Sequence, residues 1–171
     1  MPSKALILVD FENEWIDENS DYYIGDVSKL IENTNRLIDF CRGQAYKIIF
    51  IAHVEADSDG AFAPGSKNVA IIEGLDKLEG DVVIEKNKIS PFYNTSLEDE
   101  LAGIDSIVVA GILTNLCVRS TVQDAYDRDF DITVVTDCCQ ALDQQIHDFT
   151  LRDLKETREE VQLVRVEEFV Q

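Results

Sequence analysis

Residues 106–126 read SIVVAGILTNLCVRSTVQDAY. Ile107-Val108-Val109-Ala110 is the kind of apolar run that a strand buried on both faces requires. Gly111 is expected to end it. Ile112-Leu113-Thr114-Asn115 then crosses to a helix, because Val118, Val122 and Ala125 recur at helical spacing. Cys117 falls at the junction, in the first turn of that helix. A thiol there meets unpaired N–H groups and the positive end of the helix dipole, which lowers its pKa and makes it nucleophilic. Free cysteine is as often a small core hydrophobe, so this stretch alone leaves both readings standing.

Working outward, the same strand-then-helix pattern repeats. Upstream, Ala5 to Val9 is a buried strand with Asp10 at its end. Asp26 caps a helix whose apolar stripe runs Val27, Leu30, Ile31, Thr34, Leu37, Ile38 and Cys41, and which Gly43 stops. Cys41 on that stripe reads as core. Tyr46 to Val54 is the second strand, with His53 near its end. The Pro-Gly loop over residues 60–67 has Ser66 and Lys67 in the wrong order for a phosphate loop, and leads to a short helix near Val69 to Leu75. Asp81 to Glu85 is the third strand, followed by Lys86, Asn87 and Lys88. Thr95 and Glu98 have capping-box spacing for the next helix.

Downstream, Asp131 to Thr136 is the fifth strand, with Cys138-Cys139 as small loop residues after it. Leu142, Ile146 and Phe149 mark the last helix, His147 on it reads as structural, and Val161 to Val166 is the sixth strand. Alternation of this kind predicts a parallel sheet between two layers of helices, a three-layer α/β/α fold in one domain over residues 1–171. Asp10, Lys86 and Cys117 each follow a strand, so all three belong on one sheet edge, where open sheets bind ligands. An acid, a cation and a thiol gathered there point to nucleophilic catalysis.

The bulk composition narrows the classes. With 34 acidic against 15 basic residues, the net charge of −19 repels phosphate backbones and anionic lipid, so neither nucleic acid nor membrane is an expected partner. Met1-Pro2-Ser3-Lys4 leads directly into a strand, without a signal-peptide pattern. The four cysteines make no zinc-ligand spacing, so a reducing, cytoplasmic location with free thiols is expected.

Three motifs in this order resemble the isochorismatase-like cysteine hydrolases, a family that includes nicotinamidases and N-carbamoylsarcosine amidases. ILVDFENEW is similar to the strand ending in the family's catalytic aspartate, here Asp10. VVIEKNKISPF followed by NTSLEDEL is similar to the segment with the catalytic lysine, here Lys86 rather than Lys88. VVAGILTNLCVRSTVQDA followed by VVTDCC is similar to the nucleophile segment, here Cys117. The spacings are 76 (86 − 10) and 31 (117 − 86).

The resemblance implies a Rossmann-like six-stranded parallel sheet of order 3-2-1-4-5-6, with the topological switch between strands 1 and 4. Lys86 must then reach across strand 2. It also implies an oxyanion hole from the backbone N–H groups of Leu113 and Cys117, a cis peptide between Ile112 and Leu113, and a homo-oligomer. Phe11, Trp15, His53, Phe92 and Leu116 are the candidate pocket walls.

Against the family pattern, Glu12 replaces the usual glutamine and Trp15 the usual phenylalanine. Nicotinamidases hold a metal through an aspartate and several histidines after strand 2, where this chain has only His53, with Asp57 and Asp59. No metal or other cofactor is therefore expected. The resemblance points to hydrolysis of a small amide or ureide C–N bond through a thioester. Vinyl ether hydrolysis with Asp10 as acid, metal-dependent nicotinamidase activity, and an idle binding subunit are the alternatives.

Overall fold

The computed structural model of the protein describes residues 2–171. Six parallel strands lie in the order β3-β2-β1-β4-β5-β6. They are β1 (Lys4–Val9), β2 (Lys47–His53), β3 (Val82–Lys86), β4 (Ser106–Ile112), β5 (Asp131–Gln140) and β6 (Gln162–Val164). The helices are α1 (Ser28–Gly43), α2 (Leu97–Glu100), α3 (Arg119–Tyr126), α4 (Gln144–Thr157) and α5 (Val166–Phe169). Past their polar first residues, Lys4 and Ser106, the central strands β1 and β4 are apolar because helices cover both faces; Ala5 to Val9 are wholly buried. Among the described residues no helix is long and apolar enough to cross a membrane.

β1 pairs with β2 on one side and β4 on the other, so the chain leaves the sheet centre in two opposite directions. A crevice therefore opens at the C-terminal ends of β1 and β4. Gly111 permits close approach of these two strands. Its φ is +150°, and a Cβ there would stand 2.2 Å from the Val9 carbonyl oxygen.

Several sequence expectations need correction. Gly111 does not end β4, which pairs on through Ile112. Cys138 and Cys139 belong to β5 rather than to a loop: its register shifts between Val109 and Gly111, so that Gly111 pairs with Cys139. The bulge carries polar Thr136 and Asp137, which interrupt the apolar run and hid the continuation. The expected helix near Val69 is a single 3₁₀ turn at Lys67–Val69, after which Ile71 bridges Glu12. The last strand is only three residues, and Val166 opens α5.

The expected Thr95–Glu98 capping box does not form, because Ser96 and not Thr95 holds the N-cap position of α2. Thr95 Oγ1 accepts the Leu97 N–H at 3.1 Å, while Glu98 turns to Arg128. Asp26 is not the cap of α1: Val27 holds that position, and Asp26, one residue earlier, accepts the Ser28 N–H at 2.8 Å. α4 is capped by Asp143, which accepts the Ile146 N–H. It turns Thr150 and Leu154 inward and leaves Ile146 and Phe149 exposed.

Candidate active site

β1 ends in a left-handed turn. Asp10 has φ +53°, a conformation that a short polar side chain tolerates, and its N–H donates to the Ile51 carbonyl at 2.9 Å. Its side chain is fully buried, with Lys86 Nζ 2.8 Å from Oδ2, an ion pair whose angles fall short of a directional hydrogen bond. Lys86 is the last residue of β3 and pairs in register with His53 of β2. Its long stem carries the ammonium over the end of β2, which is how an edge strand supplies the sheet centre.

That ammonium meets three groups at once: Asp10 Oδ2, His53 Nδ1 at 3.1 Å and Cys117 Sγ at 3.3 Å. Because an ammonium can only donate, His53 Nδ1 is the acceptor, and the ring proton sits on Nε2, facing Glu55 Oε1 at 2.7 Å.

Cys117 lies in a π turn, Thr114–Val118, which runs into α3. The turn hangs on the Leu113 carbonyl, which accepts the N–H of Leu116 at 3.1 Å and of Val118 at 3.2 Å. Thr121 Oγ1 donates to the Cys117 carbonyl at 2.7 Å, and Thr114 Oγ1 bonds His147 Nδ1 at 2.8 Å. His147 thus braces the turn from α4, in line with its structural reading; burial lowers its pKa, opposed by Asp148. The Ile112–Leu113 peptide is cis, as the resemblance implied.

The electrostatics correct one expectation. Burial, and then the charge of Asp10, push the Cys117 thiol up to about 12, against the opposing pull of Lys86. Position near a helix start does not outweigh desolvation and a neighbouring carboxylate. Burial likewise raises Asp10, with Lys86 opposing it. Burial alone would lower Lys86, yet Asp10 and Cys117 together leave it raised. The trio therefore gathers a cation, a carboxyl and a thiol at one point, groups between which a proton can move during a reaction.

Above the trio opens a pocket of about 550 Å³ that contains Asp10 and Cys117. Trp15, Tyr22 and Phe62 form one wall, their rings edge to face with centroids 5.1–6.0 Å apart. Glu14, itself buried, ties this wall together by accepting from Ser20 Oγ at 2.5 Å and from the Phe62 N–H at 3.1 Å. Asn87, Lys88, Ile89 and Leu116 also line the pocket.

Of the expected walls, Trp15, His53 and Leu116 line the pocket. Phe11 lies wholly inside the core, and Phe92 packs against Phe130 beneath Arg128. Both are corrections: their side chains join the core instead of the pocket. Phe62 was not anticipated, because a Pro-Gly loop carries no periodicity to mark an inward side chain.

A nicotinamidase-type metal does not fit these residues. His53 has both ring nitrogens engaged, Asp57 and Asp59 are exposed, and no group of three His, Cys, Asp or Glu converges among the described residues.

Comparison with known proteins gives the same architecture a lineage. The chain is 27% identical to the ureidoacrylate amidohydrolase RutB of Yersinia enterocolitica, over 79% of this chain and 74% of that protein. It is 26% identical to an Arabidopsis thaliana protein named "Probable inactive nicotinamidase", over 88% and 87%. The solved N-carbamoylsarcosine amidase of Thermoplasma acidophilum superposes with a TM-score of 0.82 at 26% identity, covering 97% of each chain. The family model described as "Isochorismatase domain" matches residues 4–165, and with that match the chain belongs to the isochorismatase family.

Proposed function

We propose that the protein is a cysteine-dependent hydrolase of a small amide or ureide C–N bond, working through a thioester on Cys117. The observation that carries this is the placement of one buried ammonium, Lys86, within contact of both Asp10 and the Cys117 sulfur at the floor of a pocket. The names of the relatives, an amidohydrolase and a carbamoyl amidase, support the same bond class.

In this mechanism Asp10 takes the thiol proton as Cys117 Sγ attacks the substrate carbonyl. Internal transfer avoids releasing a proton to solvent, which the raised thiol pKa disfavours. Lys86 keeps the buried charge balanced throughout, because the negative charge moves from carboxylate to thiolate while the cation stays. The backbone N–H groups of Leu113 and Cys117 are assigned to the oxyanion. Asp10 then hands its proton to the leaving nitrogen as the C–N bond breaks, leaving a thioester. Water, giving its proton to Asp10, attacks that carbonyl, and the proton returns to sulfur as the acid departs.

The test is ammonia release from a panel of primary amides and ureides, with intact-mass detection of the acyl-enzyme. Wild type should turn over at least one substrate. Cys117→Ala should lose turnover by about a thousandfold or more while keeping its circular dichroism spectrum. Undiminished turnover in the alanine variant would remove the nucleophile assignment.

A further inference from the structure

Glu12 lies two residues past Asp10, held by its own N–H to the Asp10 carbonyl at 3.0 Å and by its bridge to Ile71. Its side chain is 0% exposed, and among the described residues neither carboxyl oxygen has a hydrogen-bond partner. Charged groups face it from several elements. Asp10 and Glu14 come from its own segment and Lys86 from β3; from β2, the His53 N–H lies near enough to favour the charged form without closing a full hydrogen bond. The Ala70–Ile72 segment alongside contributes only backbone and apolar groups. Lys86 already serves Asp10, His53 and Cys117.

An ionised carboxylate in that position would be a buried charge with neither donor nor cation of its own. Two acids side by side on one lysine do not both ionise readily. Burial first, and then the charge on Asp10, raise the Glu12 carboxyl to about 9.

We propose that Glu12 stands as a neutral, protonated acid at neutral pH, and that by carrying no charge it leaves Asp10 acidic enough to give its proton to the leaving nitrogen. The role is a positioning one, exercised through Asp10, and it rests on the hydrolase reading above. With Glu12 neutral, the floor of the pocket holds one negative and one positive charge at every stage. When Glu12 releases its proton to alkaline solvent, a second negative charge appears beside Asp10. Asp10 then holds its own proton more tightly, and C–N cleavage slows.

Two measurements test this. The first is carbon NMR of protein labelled at the glutamate side-chain carboxyls, titrated in wild type and Glu12→Gln. One carboxyl should remain protonated at pH 7, titrate in the alkaline range and be missing from the variant. If every glutamate carboxyl titrates in the ordinary acidic range, the proposal is overturned; wild type alone settles this should the variant not fold. The second is the pH dependence of acylation by p-nitroacetanilide relative to p-nitrophenyl acetate. Both transfer the same acetyl group, but only the anilide needs a proton on its leaving nitrogen, so the ratio isolates the acid step. It should fall severalfold on the alkaline side in wild type, with the fall displaced to higher pH in Glu12→Gln. An identical fall in both proteins overturns the role. Acylation by neither probe would count against the hydrolase reading, and the NMR titration would still decide where the proton resides.

Discussion

Lys86 Nζ and Asp10 Oδ2 meet 2.8 Å apart with both side chains entirely out of solvent. Each has surrendered its hydration, so each depends on the other: removing one leaves a bare buried charge. Lys86→Met should therefore destabilise the fold by about 3–5 kcal/mol at neutral pH. The deficit should shrink on acidification, because the orphaned Asp10 can take up a proton. Urea unfolding at pH 7 and pH 5 checks both points, and an equal deficit at the two values would contradict the coupling.

Glu12 adds a pH dependence of its own. Its carboxyl is raised from the ordinary 4.5 to about 9 in the folded protein, so between those values the folded state holds a proton that the unfolded chain releases. Stability from this group is complete below 4.5, declines as pH rises, and levels off above about 9. The loss at pH 7 is about 3 kcal/mol. Glu12→Gln, which has no proton to lose, should unfold at a higher temperature than wild type at pH 8, with the gap closing toward pH 5. A gap independent of pH would show that the carboxyl is not the source.

Glu14 accepts two hydrogen bonds that fasten the Tyr22 and Phe62 segments to each other. Glu14→Gln keeps one acceptor and turns an N–H toward a donor, a mismatch worth about 1–3 kcal/mol. Because the damage falls on the aromatic wall rather than on Asp10, Lys86 or Cys117, KM should rise more than kcat falls. Steady-state kinetics on any amide found to be a substrate separates the two parameters.

Gly111→Ala should be among the most damaging single changes away from the trio. The new methyl would lie 2.2 Å from a backbone oxygen of the neighbouring strand, on a residue with φ +150°. Neither partner is a flexible side-chain end that can swing aside. A loss above about 4 kcal/mol, seen as insoluble expression or a much lower melting temperature, is the expected outcome.

The sheet was legible in the sequence wherever burial on both faces forces uninterrupted apolar runs, as at Ala5–Val9 and Ile107–Ala110. Asp10 and Lys86 were legible as polar residues placed at the ends of such runs, and Cys117 as the thiol at a strand-to-helix crossing. Of the aromatic wall, Trp15 was expected and Phe62 was not. Trp15, Tyr22 and Phe62 come from irregular segments that meet only in three dimensions, so neither the helical nor the strand period marks them. The far end of β5 was hidden for another reason: its bulge places Thr136 and Asp137 where alternation would call for a loop. Glu12 was visible as a departure from the family's glutamine, but its burial depends on the Ile71 bridge, a contact 59 positions away (71 − 12).

The division of labour between strand ends and loops bears on how such a site changes over time. Asp10 and Lys86 are anchored by sheet pairing, and the turn bearing Cys117 grows directly from β4. The Trp15–Tyr22–Phe62 wall belongs to two segments fastened to each other through Glu14. Insertions, deletions or wholesale exchange of those segments would alter which molecule fits while leaving Asp10, Lys86 and Cys117 in place. Selection, or a library confined to residues 13–23 and 56–62, can therefore search pocket shapes while the Asp10–Lys86–Cys117 trio is inherited intact.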